Sequence, residues 1–161
     1  MRRADREVTD FDEIADILRR ADTIRLGLHG DPYPYVAPLS FGFEAREGRI
    51  SLYFHGALEG LKYELIARDP HVCVEADIFH GVAKTPGGLT TRYESFIGFG
   101  MCERVTGDEA VHGIDLLLER CGFAGYTYDS AELEYTRVHK ITLDSFTGKR
   151  NSICIFTKPV I

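Results

Sequence analysis

The chain has 161 residues, of which 44% are hydrophobic, and it carries a net charge of −6. This length and composition predict one folded domain spanning 1–161, with enough apolar side chains to build a core. The acidic balance argues against a nucleic-acid-binding surface, and no apolar run reaches the roughly 18 residues of a membrane-spanning helix. No signal-peptide pattern opens the sequence, so we expect a cytoplasmic protein.

The first predicted element is an amphipathic helix, DFDEIADILRRA, because its apolar residues recur on one helical face. Thr9 or Asp10 can cap its N-terminus, since each has an acidic residue three positions later. The period then changes to the alternation of strands in TIRLGLHG (23–30), YVAPLSFGFE (35–44) and RISLYFHG (49–56). These three strands predict an antiparallel meander.

Proline at position 38 has no N–H for a strand ladder, so the second strand should lie at an edge, contain a bulge or face a ligand. The rest of the chain predicts about four more strands and two more helices, the second opening with a capping box of Thr106 and Glu109. The predicted segments are a helix at 60–69, a strand at 71–79, a loop at 84–88, a long strand at 90–105, a helix at 107–123, a loop-like stretch at 124–134, a bent strand at 138–150 and a short apolar segment at 152–157. The fold class is therefore mainly β with peripheral helices, either a small β-barrel or a flat α+β sheet.

The segment HGALEGLK (55–62) lies where a strand gives way to a helix. A helix N-terminus presents unpaired N–H groups, glycine permits close approach of the backbone, and Lys62 and His55 add donors. The corner therefore suits a phosphate, although an ordinary strand-to-helix turn explains the same residues. It is not a P-loop, because no Ser or Thr follows Lys62 and Leu61 separates Gly60 from Lys62.

Four blocks in this order resemble the flavin-binding split-barrel proteins related to pyridoxamine 5′-phosphate oxidase, and more narrowly the nitroimidazole-resistance (Nim) branch. They are RADREVTDFDEI (3–14), YPYVAPLSF (33–41), YFHGALEGLKYELI (53–66) and YESFIGFG (93–100). The resemblance implies a six-stranded, Greek-key-like split barrel that forms a homodimer with FMN at the dimer interface. It also implies an oxidoreductase that passes electrons from NADH or NADPH to a small acceptor, such as a nitroimidazole or another nitroaromatic compound.

The resemblance also implies which residues contact the cofactor. The isoalloxazine ring would be followed by one segment, Val36, Ala37, Pro38, Leu39 and Ser40. The phosphate and ribityl chain would be held at the corner by His55, Gly56, Ala57 and Lys62. Two residues of the long strand, Tyr93 and Ser95, would reach the ring or the phosphate. His55 is in addition the candidate catalytic residue. The alternation of side chains places Val36, Pro38 and Ser40 on one face of their strand, and Tyr93 and Ser95 on one face of theirs.

Several alternatives remain open at the level of sequence. Thr147–Arg150 is the one candidate for a basic cluster around a substrate phosphate, and a solvated turn is the preferred explanation of these residues, so a vitamin B6 oxidase is disfavoured. The six histidines show no zinc-site spacing, and we expect no metal. A protein that stores or senses flavin or haem without catalysis would have the same pocket. The deazaflavin F420 would require more basic residues in one place than the chain shows.

Overall fold

The computed structural model describes residues 3–128, 133 and 135–151. The predicted apolar segment at 152–157 and part of the predicted loop at 124–134 lie outside the described residues. The regular elements are a 3₁₀ turn (Ala4–Arg6), β1 (Glu7–Val8), α1 (Phe11–Arg20), β2 (Ile24–Leu28), β3 (Tyr35–Leu39), β4 (Gly42–Arg46), β5 (Arg49–Gly56), α2 (Leu61–Arg68), β6 (His71–Thr85), β7 (Gly88–Val105), α3 (Gly107–Arg120) and β8 (Arg137–Asn151).

One of the two predicted helix caps forms. The Asp10 carboxylate accepts a hydrogen bond from the Glu13 backbone N–H at 3.0 Å, so α1 begins as predicted. At α3 the predicted capping box is wrong, because the Thr106 side chain makes no capping hydrogen bond. The Glu109 carboxylate instead accepts from the Tyr53 hydroxyl at 2.8 Å and from the Lys140 amine at 2.6 Å. A long-range pairing with the sheet has therefore replaced a local one.

All strands belong to one antiparallel sheet with the order β3-β2-β6-β7-β8-β5-β4, and β1 pairs with β8. The predicted meander is wrong, because the stretch 35–44 splits into β3 and β4, which lie at opposite ends of this order. Only Ser40 and Phe41 join these two strands. Three Cα–Cα steps span at most about 11 Å, so the two ends of the sheet must curl towards each other. This curvature agrees with the barrel that we expected rather than with a flat sheet.

The inner face of the curled sheet forms the main core. Side chains from β2, β5, β7 and β8 meet there with no measurable exposure, among them Leu26, Phe54, Phe96 and Ile141. Helix α1 packs against β6, β7 and β8, and α3 packs outside β4 and β5. In the described part of the chain, no helix combines the length and the apolar character that crossing a membrane requires.

The outer face of β3, β2, β6 and β7 leaves large apolar side chains in solvent. Val36, Gly27, Cys73 and Phe99 are lateral neighbours in consecutive strands, so their side chains share this face. We call the exposed side chains Val36, Ile97, Phe99 and Met101 the apolar outer face; Val36 is 57% exposed and Phe99 is 54% exposed. Contiguous exposed apolar side chains of this kind mark a surface that another molecule covers.

Candidate functional site

In the corner between β5 and α2, the side chains of Tyr63 and Lys62 approach the backbone of Gly56 closely. A β-carbon at Gly56 would collide with the Tyr63 hydroxyl and would lie 3.1 Å from the Lys62 amine. Helix α2 begins after Gly60, whose φ of 147° belongs to a backbone conformation that other residues rarely adopt. Both glycines of this corner therefore have a structural role. Gly60 adopts a backbone conformation that other residues rarely adopt, and Gly56, which has no side chain, leaves space beside the Lys62 amine.

Strand β8 brings a second cation to this corner. Arg137 pairs with Gly56 across the β5–β8 ladder, and its guanidinium carbon lies 5.4 Å from the centre of the Tyr63 ring. The Lys62 amine lies 4.3 Å from the same ring centre. We call Gly56, Lys62, Tyr63 and Arg137 the cationic corner. Sequence reasoning identified Gly56 and Lys62 but missed Tyr63 and Arg137.

Polar atoms of this corner are buried without a partner among the described residues. They are Tyr63 Oη, Arg137 Nε and the neighbouring His139 Nδ1. An unsatisfied buried polar group costs about 1–3 kcal/mol, so native proteins rarely leave several together. Three such atoms beside two cations indicate a place for an anion that can accept hydrogen bonds.

His139 forms the floor of the corner. Its ring stacks between Phe54 and Tyr63, with centroid distances of 5.2 Å and 4.9 Å. Burial, and then the charges of Arg137, Arg104 and Lys62, lower the pKa of His139 to about 4. The imidazole is therefore neutral at pH 7, which keeps the positive charge of the corner on Lys62 and Arg137.

His55 lies on the other face of β5. Successive strand residues point to opposite faces, so Gly56 faces the barrel mouth while His55 faces outward beside Ile114 and Leu117 of α3, with which it lines a cavity of about 160 Å³. Desolvation by the surrounding protein, and then the charge of Lys62, lower the pKa of His55. The predicted catalytic residue thus lies next to the cationic corner but is not directed into it.

The predicted ring-contacting segment lies on the edge strand β3 and continues to Ser40. Among the described strands β3 pairs only with β2, which confirms that Pro38 lies at an edge. Val36, Pro38 and Ser40 are exposed while Ala37 is buried, as the alternation predicts. Gly42 of β4 pairs with Tyr53, so Ser40 lies near the end of the barrel at which β5 ends.

Tyr93 and Ser95 lie far from this corner within one chain. Ser95 pairs with Lys149 of β8 whereas His55 pairs with Val138, eleven positions earlier on the same strand. Eleven residues of extended strand span roughly 36 Å. The structure therefore does not bring the two groups of predicted cofactor residues together in one protomer.

A separate set of basic residues surrounds Tyr93. The Lys149 amine lies 5.5 Å from its ring centre, and Lys149, followed by Arg6, lowers the pKa of the Tyr93 hydroxyl. The solvated turn considered for 147–150 is wrong, because these residues belong to β8. The next residue, Arg150, is partly buried and pairs with the buried Glu94 at 2.8 Å and with the exposed Glu13 at 2.8 Å.

A larger groove runs along the apolar outer face. Its volume is about 380 Å³, and Gly27, Cys73 and Phe99 form part of its lining, with His29 and His71 beside them. Both imidazoles contact the Asp69 carboxylate through Nδ1, at 2.5 Å and 2.7 Å. Across residues 3–128, 133 and 135–151, no three His, Cys, Asp or Glu side chains are arranged to hold a metal ion.

The strands form a curled antiparallel barrel, and the cationic corner lies at its mouth. The family described as pyridoxamine 5′-phosphate oxidase matches residues 10–150. The chain belongs to this family, and its split-barrel fold is thereby confirmed. No curated protein matches the chain.

Solved structures agree with this assignment. The chain is 27% identical to a protein of Bacteroides thetaiotaomicron described as a candidate 5-nitroimidazole antibiotic resistance protein, with a TM-score of 0.80 over 89% of this chain and 85% of that one. An FAD- and haem-binding protein of Mycobacterium smegmatis is 22% identical, with a TM-score of 0.76 over 92% and 74% of the two chains. A flavocytochrome of Azotobacter vinelandii is 18% identical, with a TM-score of 0.72 over 95% and 72%. At these last two identities the likeness concerns the fold.

Proposed function

We propose that the chain is a homodimeric flavoprotein that binds FMN and acts as an oxidoreductase, carrying electrons from NADH or NADPH to a small acceptor such as a nitroaromatic compound. The observation that carries the proposal is the cationic corner with its unpartnered buried atoms. Two cations, a hydroxyl and an N–H converge there around a glycine. The residues present fit a phosphate monoester, which carries a charge of about −1.5 to −2 at pH 7.

Each residue of the corner has a defined part in holding the phosphate. Lys62 supplies a point charge, and Arg137 supplies a fork of donors that suits phosphate oxygens. The Tyr63 hydroxyl and the Arg137 Nε then gain the partner that they lack among the described residues. Gly56 keeps the space open, because any side chain there would collide with Tyr63.

The free edge of β3 suits the ring of the flavin. An edge strand leaves backbone N–H and C=O groups unpaired, and the pyrimidine edge of a flavin both donates and accepts hydrogen bonds. The segment Val36–Ser40 would bind this edge through its backbone while Ala37 anchors the strand in the core. Pro38 is tolerated because β3 is an edge strand.

A two-fold dimer accounts for the distance between the two groups of predicted residues. Tyr93 and Ser95 lie on the same outer sheet face as Ile97 and Phe99, at the next alternate positions of β7. If the apolar outer faces of two copies pack together, Tyr93 and Ser95 of one protomer can reach the flavin held by its partner. The exposure of Val36 and Phe99 supports burial of this face in a dimer.

The flavin, when bound, supplies the redox chemistry, accepting electrons from the nicotinamide and passing them to the acceptor. The protein binds, orients and shields it. We propose His55 as the residue beside the reacting part of the flavin, where a neutral imidazole can donate one hydrogen bond without adding charge. Its lowered pKa supports this role at pH 7.

The names of similar proteins point in the same direction. The structure with 27% identity is described as a candidate nitroimidazole resistance protein, and two further structural neighbours are described as an FAD- and haem-binding protein and a flavocytochrome. Lys62 and Arg137 of the corner suit one phosphate group, whereas the longer acidic tail of F420 would require further basic residues beside them, which favours FMN.

The absorbance spectrum of the purified protein, followed by titration with FMN, tests the proposal. We expect a saturable shift of the flavin bands and, in the loaded protein, oxidation of NADH or NADPH when an acceptor is present. Absence of binding well above micromolar FMN would refute the flavin proposal. Binding of FMN or haem without nicotinamide oxidation would instead indicate a storage or sensing protein.

A further inference from the structure

Two groups of residues that the sequence singled out separately meet on the outer face of the sheet. Ser95, one of the predicted cofactor contacts, is the lateral neighbour of Lys149, which belongs to the basic stretch at 147–150. Tyr93 lies at the next alternate position of β7 and shares this face, and Arg6 comes from the turn before β1. We call Arg6, Tyr93, Ser95 and Lys149 the Tyr93 patch. The proposed function uses its two hydroxyls but assigns no role to either cation.

The two cations of the patch lie beside the Tyr93 hydroxyl. The Lys149 amine lies 5.5 Å from the centre of the Tyr93 ring. Lys149, followed by Arg6, lowers the pKa of the hydroxyl, because a positive charge beside it stabilises its ionised form. All four side chains of the patch are half-buried. Their attraction for an anion is therefore screened less by salt than that of a fully exposed lysine.

The acidic residues around the patch leave its charge in place. Asp77, the other lateral neighbour of Ser95, is paired with Arg25 at 2.6 Å. Glu7, the lateral neighbour of Lys149 on β1, is exposed, and no ion pair joins the two among the described residues. The stretches that flank the described residues at the two ends, 1–2 and 152–161, contain no Asp or Glu. The patch thus presents two cations and two hydroxyls to an anion.

The donors of the patch suit a diphosphate. A lysine supplies a point charge and an arginine a fork of donors, and hydroxyls can donate to further phosphate oxygens. Because the chain carries a net charge of −6, its average surface repels a polyanion, which needs a local positive site to bind. The flavin phosphate already has two cations at the cationic corner. The patch is therefore available to the other phosphate-bearing molecule of the proposed reaction.

We infer that the Tyr93 patch binds the diphosphate of the nicotinamide dinucleotide that delivers electrons to the flavin held by the partner protomer. The identity of this ligand rests on the proposed function and its two-fold dimer, whereas binding of a diphosphate at the patch does not. Successive side chains on one face of a strand are about 7 Å apart, so Tyr93 lies one such step beyond Ser95. This step lets Ser95 contact the flavin while the riboside of the donor spans the distance to the patch.

Two electron donors separate recognition of the diphosphate from reaction at the nicotinamide ring. NADH carries a diphosphate, whereas N-benzyl-dihydronicotinamide has the same reacting ring and no phosphate. In protein saturated with FMN, Lys149→Ala should lower kcat/KM for NADH at least tenfold and leave that for the benzyl compound unchanged. Arg6→Ala should act in the same direction. Lys84→Ala is the matched control, because this exposed lysine of β6 lies outside the patch, and it should change neither value.

ADP-ribose, which carries the diphosphate without the nicotinamide, tests the patch without turnover. Isothermal titration calorimetry with and without FMN should show saturable binding that is at least tenfold weaker in Lys149→Ala and in Arg6→Ala. Adenosine, which has no phosphate, should bind at least tenfold more weakly than ADP-ribose to the wild type. Urea denaturation verifies that each variant is folded, and the two variants lie on different elements, so either one alone can decide the result.

Three outcomes distinguish this inference from the proposed function. Unchanged ADP-ribose binding in both variants, or equal losses of kcat/KM with the two electron donors, would overturn the inference. Weaker FMN binding in Lys149→Ala with unchanged ADP-ribose binding would also overturn it, because the patch would then hold the flavin phosphate. Absence of FMN binding in a protein whose ADP-ribose binding depends on Lys149 would refute the proposed function alone.

Discussion

Replacing His139 by Phe should make the protein less sensitive to acid. The imidazole is 4% exposed and is stacked between two aromatic rings. Phenylalanine has a similar shape and can keep both stacking contacts. Because it also removes the unpartnered Nδ1, we expect the free energy of unfolding at pH 7 to change by less than about 1 kcal/mol.

The size of the effect follows from the pKa of His139. The pKa is about 4 in the folded protein, compared with 6.5 for the free side chain. The unfolded chain therefore binds a proton between these values, and the folded state loses stability as pH falls from about 6.5 to about 4. At 1.36 kcal/mol per pKa unit, the loss is about 3 kcal/mol in full and about 2 kcal/mol between pH 7 and pH 5.

Urea denaturation of the wild type and of His139→Phe at pH 7 and pH 5 measures this difference. The wild type should lose about 2 kcal/mol more than the variant over this interval. NMR titration provides an independent measurement, since the ring protons of His139 should not shift above about pH 5. Parallel losses in the two proteins, or a ring that titrates near pH 6.5, would show that His139 is not buried as described.

Two further substitutions test the geometry around the barrel. Gly56→Ala places a methyl group against Tyr63, so FMN binding should weaken at least tenfold. The control Gly87→Ala lies in a turn with open space and should leave the FMN dissociation constant unchanged. Equal FMN affinities of the two variants would mean that Gly56 does not shape the site. Glu94→Gln should destabilise the protein by about 2 kcal/mol at pH 7, because Arg20, followed by His80 and Arg150, lowers the pKa of this carboxyl to about 2. Stability from ionised Glu94 is present above about pH 4.5 and is lost as pH falls towards 2, so chemical denaturation across this range should show the variant and the wild type converging.

The sequence predicted the helices and the strand faces well, because these depend on local periodicity. The stretch 35–44 shows the limit. Its alternation continues through Ser40 and Phe41, and Phe41 is buried in the core as this alternation predicts. The pattern breaks at Gly42, which is also buried and lies so close to α3 that a β-carbon would collide with the backbone of Leu117. Packing against a helix some 70 residues away divides this stretch into two strands, and periodicity carries no information about that contact.

The candidate site was predicted in part for a similar reason. Gly56 and Lys62 are neighbours in sequence, so their combination was visible as a motif. Arg137 and His139 become neighbours of this corner only through the register of β8 against β5. The available signal was the presence of two basic residues at alternate positions of one strand, which places them on the same face.

The phosphate group provides the most direct test of the central claim, because FMN and riboflavin differ only by this group. Binding of both ligands should be measured for the wild type, Lys62→Ala and the control Lys84→Ala, in which the exposed lysine lies near the tip of the β6–β7 hairpin. Loss of one charged hydrogen bond costs about 1.5–3 kcal/mol, which corresponds to roughly 10- to 150-fold weaker binding.

We predict that the wild type prefers FMN over riboflavin by at least tenfold, that Lys62→Ala loses most of this preference, and that Lys84→Ala retains it. Riboflavin binding should change little in any of the three proteins. Equal affinity of the wild type for FMN and riboflavin, or an unchanged preference in Lys62→Ala, would contradict the assignment of the cationic corner as the phosphate site.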